Sequence, residues 1–381
     1  MEHAAIRLQI AALRRRKGAG QQEVADAVGV SRQTVSKWET GAGMPDIALL
    51  PPLAAFFGVT VDTLLGLSPL EDPYRPTESG TVGYWAERRD YLERTRNAMW
   101  NTDYMRFLIQ TVWKVDKPVR VVDFGCGNGF LGRLMMPILP AGSTYTGIDH
   151  DAALLAEAEQ RMVGASWPAR FVEASVYDFD EPGRYDLAVC QAMLRHLDRP
   201  GDALDRMVRT ICPGGLVVGI EVNREFECDG LYLDGMAYET LCERGGWRRM
   251  WRREREVQGR DHAIGMRLPF LMRACGLVDI DVRVNDKAQF SAPGMEGHAQ
   301  ACVDLLASRG WDNMLDGGHE EALIAHLVNH GMLREEAEAH GRRTRMIAAH
   351  ARAQGDDLAW LHVLGLLVTS GRRPAREKSG R

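Results

Sequence analysis

Residues 123–129 hold an acid and three glycines, Asp-Phe-Gly-Cys-Gly-Asn-Gly, between a strand pattern and a helix pattern. The apolar run at 119–122 predicts a buried strand, and residues 131–139 have apolar side chains at helical spacing. Glycine tolerates positive φ and lets a ligand approach the backbone. A second predicted strand, 144–148, ends in Asp149, whose carboxylate can accept hydrogen bonds from two ribose hydroxyls. The pattern therefore predicts a site for a nucleotide-like ligand.

The spacing of the glycines distinguishes a loop that binds dinucleotides from one that binds another nucleotide-like ligand. A dinucleotide fingerprint, G-x-G-x-x-G, would need its third glycine at Phe130. Here Gly125, Gly127 and Gly129 alternate after Asp123. This pattern resembles motif I of the class I methyltransferases that depend on S-adenosylmethionine (SAM). The resemblance implies that the loop holds the methionine part of SAM and not a pyrophosphate.

Later segments follow in an order that resembles the same family. Five further strands are predicted, at residues 169–174, 185–190, 216–221, 278–284 and 361–370. Strands that alternate with helices imply a doubly wound α/β sheet, with the ligand at the carboxyl ends of the strands. The resemblance implies a seven-stranded class I methyltransferase sheet whose last strand pairs antiparallel beside the sixth.

The resemblance extends to particular cofactor contacts. They come from the glycine loop, the tip of the second strand and the loops after the third and fourth strands: Asp123, Gly125, Cys126, Gly127, Gly129, Asp149, His150, Ser175, Val176 and Gln191. In the family an acid often stands where Ser175 aligns. Asp178 or the backbone near Val176 is therefore an alternative contact for the adenine.

Candidate groups for the methyl acceptor lie before the first strand and after the fourth and fifth. The proposed substrate contacts are aromatic or polar: Tyr84, Trp85, Tyr104, Glu221 and Asn223. A hydroxyl or ammonium acceptor needs a general base, and His196 is the candidate for a catalytic role. The alternative for His196 is a structural histidine that caps its turn.

The first 68 residues are a different, all-helical domain. Ser31 is a good N-cap for a helix at 32–40, after a turn centred on Gly29. This domain closely resembles the Xre/Cro helix-turn-helix of bacterial regulators. Polar residues on that helix are of types that contact base edges and phosphates: Arg32, Gln33, Thr34, Ser36 and Lys37. The alternative is a helical bundle used for protein contacts.

The charge distribution bears on DNA binding. The chain has a net charge of −5, so any attraction to double-stranded DNA must be local. Residues 1–45 carry seven Lys or Arg residues against four Asp or Glu residues. Because this domain is only mildly basic, tight binding would need two copies on one duplex. We therefore expect a homodimer.

Composition and residue spacing bear on the compartment of the protein and on metal binding. There is no apolar run that could span a membrane, and residues 1–10 lack the apolar stretch of a signal peptide. The seven scattered cysteines form no C-x-x-C pair, which is typical of reduced thiols in a cytoplasmic protein. His326 and His330 stand four residues apart without an acid or Cys partner, so no metal site is predicted.

These patterns predict a helix-turn-helix domain at 1–68, a linker at 69–83 and a methyltransferase domain at 84–381. Helical lid insertions are expected at about 223–260, including a helix at 231–244, and at about 293–358. Lids favour a small-molecule acceptor over a protein or duplex DNA. The leading hypothesis is a SAM-dependent methyltransferase of a small molecule, fused to a DNA-binding domain. The alternatives are a regulator that senses SAM or another ligand without catalysis, and a bifunctional protein.

Overall fold

The computed structural model describes residues 8–57, 59, 61–65, 96, 99–224, 226, 230–316 and 318–375. The chain divides into two compact units, Met1–Pro73 with Glu321–Glu338, and Tyr74–Glu320 with Ala339–Arg381. The sequence patterns place residues 321–338 in the methyltransferase domain, whereas the structure groups them with the N-terminal residues. The predicted linker at 69–83 lies outside the described residues.

The N-terminal segment is a set of short helices around a small apolar core. The helices are α1 Ile10–Lys17, α2 Gln21–Val28, α3 Arg32–Thr40, α4 Leu50–Phe57 and α5 Val61–Leu64. Helix α3 begins where predicted, because the Ser31 hydroxyl accepts a hydrogen bond from the Thr34 backbone N–H at 3.1 Å. The apolar side of α3 faces the core, in which Val35 and Trp38 are buried.

The second unit is built on a seven-stranded sheet. The strands that the structure describes are β1 Arg120–Phe124, β2 Thr144–Asp149, β3 Ala169–Glu173, β4 Tyr185–Gln191, β5 Ile211–Val222, β6 Leu231–Leu233, β7 Val278–Val284, β8 Ala288–Ser291, β9 Trp360–Val363 and β10 Leu366–Arg372. The main sheet has the order β3-β2-β1-β4-β5-β10-β7. Only β10 is antiparallel to its neighbours, β5 and β7. The predicted doubly wound sheet, with its last strand antiparallel, is confirmed.

Helices and irregular segments connect these strands. The helices that the structure describes after the N-terminal segment are α6 Thr102–Phe107, α7 Phe130–Met135, α8 Ala152–Arg161, α9 Pro200–Thr210, α10 Tyr238–Cys242, α11 Trp247–Gln258, α12 Ile264–Ala274, α13 His298–Ser308, α14 His319–Asn329 and α15 Arg334–Gln354. Successive residues of β1 pack into different clusters, Val121 with Met135 of α7, and Val122 with Met207 of α9. Such burial on both faces explains the uninterrupted apolar runs of the central strands.

Two predicted elements are wrong in the structure. The apolar run at 361–370 is two strands, because Gly365 adopts a φ of +61° and interrupts the chain between β9 and β10. Strand β9 instead joins a small sheet of order β6-β9-β8. The helix predicted at 231–244 begins as β6, because Leu231 and Leu233 pair with β9, and only Tyr238–Cys242 is helical.

Helix α7 approaches the sheet closely at Gly132. A Cβ atom at Gly132 would lie 2.6 Å from two ring atoms of Tyr145 on β2. The Tyr145 ring is buried, and its hydroxyl donates a hydrogen bond to Asp123 Oδ2 at 2.7 Å. A side chain at position 132 would therefore displace a residue that touches the glycine-loop strand.

We expect Gly132→Ala to lower the free energy of unfolding by about 1–3 kcal/mol, because the methyl group overpacks the buried Tyr145 ring. Gly201→Ala is the matched control, since Gly201 is also helical and a Cβ there meets no atom within 4 Å. That control should change the free energy of unfolding by less than about 1 kcal/mol. Urea denaturation measures both values, and equal effects would contradict the close packing at Gly132.

Candidate active site

A cavity opens at the carboxyl ends of β1, β2 and β4. The residues that line it and that the sequence predicts are Asp123, Gly125, Cys126, Gly127, Asp149, His150, Val176, Gln191 and His196. They come from four separate segments that only the parallel sheet brings together. The cavity therefore lies where the glycine loop predicts a ligand.

The glycine loop is held in a conformation that favours glycine. Gly125, Gly127 and Gly129 have φ values of +67°, +52° and +75°. The Gly127 N–H donates a hydrogen bond to Asp149 Oδ2 at 2.8 Å, which ties the loop to β2. A Cβ at Gly127 would meet no protein atom within 4 Å, so the loop leaves open space towards the cavity.

Gly129, which was predicted to contact the cofactor, lies at a tightly packed position. It does not line the cavity. A Cβ atom there would lie 3.0 Å from Met162 Cε and 3.2 Å from Ala158 Cβ. Gly129 therefore allows the start of α7 to lie close to the α8 segment.

Asp149 is buried at the tip of β2 and has two backbone donors. Its Oδ2 accepts from Gly127, and its Oδ1 accepts from the Asp151 N–H at 3.0 Å. Burial raises the pKa of Asp149, and these hydrogen bonds only partly oppose that effect. Each carboxylate oxygen still has a second lone pair. Asp149 can therefore accept further hydrogen bonds from a ligand.

Asp123 presents a second buried carboxyl to the cavity. Only 1% of its surface is exposed, and burial raises its pKa to about 7, with a further increase from the nearby Asp149. Oδ2 accepts from the Tyr145 hydroxyl, whereas Oδ1 has no hydrogen-bond partner among the described residues. A buried acceptor without a donor is costly. A ligand that brings a cationic donor would satisfy it.

Glu221 supports the cavity wall from outside the cavity, in contrast to its predicted contact with substrate. Its side chain is fully buried, and Oε1 accepts from the backbone N–H groups of Met193 and Leu194 at 3.1 and 2.8 Å. Burial raises the pKa of Glu221 to about 7, although Arg195 opposes the shift. This carboxyl fixes the segment that follows β4.

The other predicted contacts are not brought into the cavity. The Tyr104 hydroxyl donates to the Val284 carbonyl at 3.0 Å, and Asn223 is buried away from the lining. Ser175 Oγ accepts from the Tyr177 N–H at 3.1 Å, and Val176 lines the cavity in its place. Tyr84 and Trp85 lie outside the described residues.

His196 lines the cavity, but its geometry does not suit a general base. Its Nε2 accepts a hydrogen bond from Arg195 Nε at 3.0 Å. A neutral ring that accepts at Nε2 carries its proton on Nδ1, so it can take up a proton only by losing the bond to Arg195. Burial first, and then the charge of Arg195, lowers the pKa of His196 well below its usual range. The imidazole is therefore neutral and weakly basic.

The predicted DNA-contacting residues differ in their exposure on helix α3. Arg32, Gln33 and Lys37 are exposed, whereas Thr34 and Ser36 are half-buried. The Thr34 hydroxyl is also hydrogen-bonded to Ser31 at 2.9 Å, as part of the cap. The exposed polar surface at the start of α3 thus consists mainly of Arg32 and Gln33.

Comparison with known protein families finds one match in the N-terminal helices and one in the unit with the seven-stranded sheet. Residues 122–217 match the family model described as a methyltransferase domain, and residues 10–64 match the model described as a helix-turn-helix. The chain contains a methyltransferase domain and a helix-turn-helix domain. Both matches confirm the resemblances found in the sequence.

Relatives of the methyltransferase domain are found among biosynthetic enzymes. The ubiquinone biosynthesis O-methyltransferase of Thiobacillus denitrificans is 31% identical over 121 residues, which are 31% of this chain and 51% of that protein. The enzyme of that name from Pseudomonas savastanoi pv. phaseolicola is 33% identical over 107 residues, 28% of this chain and 45% of that protein. The chain spans about half the length of these curated relatives.

One solved structure of a methyltransferase matches this chain with lower sequence identity. Phosphoethanolamine N-methyltransferase 2 of Haemonchus contortus, in complex with SAM, is 15% identical and has a TM-score of 0.38. The alignment covers 71% of this chain and 52% of that one.

Some residues that line the cavity of the methyltransferase domain were not predicted. They are Arg96, Asn128, Phe130, Leu131, Asp151, Leu154, Ala192, Met193 and Leu197. Most of them are neighbours in the chain of predicted residues. Their closeness in sequence to the glycine loop, to Asp149 or to Gln191 could therefore have identified them as lining residues. Arg96 is the exception, since it precedes β1 in a segment where only aromatic residues were predicted to contact a ligand.

Neither a metal-binding cluster nor a membrane-spanning helix is found among the described residues. Within the described ranges, three or more His, Cys, Asp or Glu side chains nowhere cluster in a way that could hold a metal ion. The helices that the structure describes include none that is both long and apolar enough to cross a membrane.

Proposed function

We propose that the methyltransferase domain binds SAM and methylates a small-molecule acceptor. The observation that carries this proposal is the buried Asp123 Oδ1 that has no hydrogen-bond partner among the described residues, beside the open space at Gly127. Asp123 suits the ammonium group of SAM, and Asp149 suits its ribose hydroxyls. When bound, SAM supplies a methyl group that its sulfonium already activates.

The chain's own residues would contribute mainly by positioning. Gln191 is oriented by Trp100, whose indole N–H donates to Gln191 Oε1 at 3.3 Å. Met193 and Leu197 add apolar walls that exclude water from the side of the cavity after β4. Glu221 holds this wall through two backbone hydrogen bonds.

The proposal of a small acceptor rests on the first insertion. The Asp261 N–H donates to the Arg195 carbonyl at 3.2 Å, and a Cβ at Gly259 would lie 2.8 Å from Asp198 Cα. The insertion therefore packs against the segment that lines the cavity after β4. An insertion packed beside this segment is the support for proposing a small molecule over a macromolecule.

Calorimetric titration of SAM into the full-length protein tests the cofactor. Saturable binding in the micromolar range is expected, and no binding would overturn the proposal. Release of S-adenosylhomocysteine (SAH) in the presence of a metabolite extract then tests catalysis. SAM binding without any release of SAH would instead favour a regulator that senses SAM.

The affinity for SAM should depend on pH through Asp123. We expect the affinity for SAM to be highest above about pH 7 and to fall by up to about tenfold per pH unit below that value. The reason is that only the ionised Asp123 carboxylate holds the ammonium group strongly. Asp149, whose pKa is also raised, should add to the same trend. Calorimetry at several pH values, in buffers of different ionisation enthalpy, should show proton release on binding.

The matched variant for this pH dependence is Asp123→Asn. It retains an oxygen for the Tyr145 hydroxyl but removes the ionisable group. We expect weaker binding of SAM with a flatter pH profile. An affinity of the wild type that is constant across the neutral range would contradict the role of Asp123.

We also propose that the helix-turn-helix domain binds double-stranded DNA as a homodimer. The exposed Arg32 and Gln33 at the start of α3 support this, since that end of a recognition helix contacts base edges. Selection from a random duplex library, followed by sedimentation with the selected duplex, tests it. Enrichment of a palindromic site bound by two chains is expected, and failure to enrich any sequence would overturn it.

A further inference from the structure

A hydrogen bond between a tyrosine and an aspartate joins two of the loops beside the cavity. The Tyr177 hydroxyl, in the loop after β3, donates at 2.8 Å to Asp198 Oδ1, in the segment after β4. Strands β2 and β1 lie between β3 and β4. Because adjacent strands are about 4.8 Å apart, the two loops begin roughly 14 Å apart. This contact, the Tyr177–Asp198 bridge, therefore connects two parts of the chain that the sheet itself keeps apart.

Each residue of the bridge is the chain neighbour of an apolar residue that lines the cavity. Val176 precedes Tyr177, and Leu197 precedes Asp198. Both of these lining side chains are buried and belong to one apolar cluster. The bridge therefore fixes the position of one apolar part of the lining relative to another.

Further contacts hold the bridge in place. The Arg199 backbone N–H donates to the Tyr177 hydroxyl oxygen at 3.3 Å, and the Arg199 guanidinium lies 4.5 Å from the centroid of the Tyr177 ring. Gly259 of the first insertion lies directly against Asp198. Burial first, and then the bond to Asp198, raises the pKa of Tyr177. The hydroxyl therefore keeps its proton near neutral pH and remains a donor.

The order of the strands indicates which part of SAM would lie beside the bridge. The proposed partner of the ammonium group, Asp123, is on β1, and the proposed partner of the ribose, Asp149, is at the end of β2. In SAM the ribose lies between the methionine part and the adenine. The adenine would therefore lie beyond β2, on the side of β3, where the lining is apolar at Leu154 and Val176.

We infer that the Tyr177–Asp198 bridge holds the loops after β3 and β4 around the adenine ring of the cofactor. Tyr177 is then a positioning residue, which acts on the ligand through Val176 and, across the bridge, through Leu197. This inference rests on the proposed function. A flat aromatic base suits such a place, because apolar side chains on either side remove its surface from water.

One ligand with its base and one without it test this role. Full-length protein is titrated by calorimetry with SAH and with S-ribosylhomocysteine, which keeps the ribose and homocysteine parts of SAH but has no adenine. In the wild type, SAH should bind at least about tenfold more tightly than S-ribosylhomocysteine. The ratio of the two dissociation constants measures what the base contributes, without any need for turnover.

Tyr177→Phe removes the hydroxyl of the bridge and keeps the ring. We expect the dissociation constant of SAH to rise by about three- to tenfold, as for one partly exposed hydrogen bond to a carboxylate. That of S-ribosylhomocysteine should change by less than about twofold, because this ligand does not reach the β3 side. A loop that merely supported the whole cavity would weaken both ligands by the same factor.

Tyr185→Phe is the matched control. The Tyr185 hydroxyl also donates to a carboxylate, that of Glu181, but Tyr185 is at the start of β4 and does not line the cavity. Its loss should leave the affinity for both ligands unchanged. Urea denaturation of each variant verifies that the protein is folded under the conditions of the titration.

Asp198→Ala is the second variant, since it removes the acceptor of the same bond. The double variant with Tyr177→Phe should weaken SAH binding no more than the stronger of the two single changes, because both remove one interaction. The inference is overturned if both single variants bind SAH as the wild type does. It is equally overturned if Tyr177→Phe weakens SAH and S-ribosylhomocysteine alike.

The wild-type titration separates the two levels of failure. If the wild type binds SAH and the variants bind it equally well, only the role of the bridge is rejected. If the wild type binds neither SAH nor SAM, the proposed function fails and the inference fails with it.

Discussion

Gly127→Val should abolish detectable binding of SAM while the methyltransferase domain stays folded. A Cβ at Gly127 would meet no protein atom within 4 Å, so the branched side chain would enter the cavity, not the core. Valine at a φ of +52° adds backbone strain of about 1–2 kcal/mol, which is small against a typical stability of about 5–15 kcal/mol. Calorimetric titration of SAM measures the loss, and circular dichroism verifies the fold.

Gly183→Val controls for the backbone strain. Gly183 has a φ of +67°, its Cβ would also meet no atom within 4 Å, and it precedes β4 at the edge of the sheet opposite the cavity. This variant should lose a similar free energy of unfolding and keep the affinity of the wild type for SAM. If Gly127→Val binds SAM as the wild type does, the glycine loop does not hold the cofactor.

Asp149→Ala should weaken SAM binding by about 10- to 150-fold, which corresponds to about 1.5–3 kcal/mol for hydrogen bonds to a charged group. The structure adds a second reason for a loss, because Asp149 also holds the Gly127 N–H in place. The change therefore removes the ribose acceptor and loosens the loop. Titration calorimetry with SAM gives the ratio of dissociation constants.

Glu173→Ala is the matched control for Asp149. Glu173 is the register partner of Asp149 at the tip of β3, but it is exposed and does not line the cavity. Its loss should leave the affinity for SAM unchanged. Asp149→Asn should fall between wild type and alanine, since it keeps an oxygen for one of the two backbone donors. An Asp149→Ala protein that binds SAM as tightly as the wild type would remove Asp149 from the cofactor site.

Local sequence patterns were sufficient to predict elements that position the site and the start of helix α3. The glycine spacing after Asp123, the strand that ends in Asp149 and the Ser31 cap of α3 each depend on a few neighbouring residues. Such signals follow from backbone sterics, side-chain periodicity and capping, which act within one or two turns of the chain. The strand β7 has the predicted bounds for the same reason. The break at Gly365 was not predicted, because the apolar run alone does not reveal which sheet each half joins.

The functions of individual side chains depended on distant partners, and the tertiary structure alone decided them. Glu221 holds the backbone of Leu194, 27 residues away, and so supports the cavity instead of lining it. His196 is a poor base because the fold buries its ring and brings the charge of Arg260 near it, in addition to the bond from the neighbouring Arg195. The amino-acid sequence by itself determined the two kinds of domain, the doubly wound sheet and the glycine loop after β1. Burial and long-range contacts determined which carboxyls, arginines and imidazoles face the ligand, because the pairing of a polar side chain depends on what the folded sheet brings beside it.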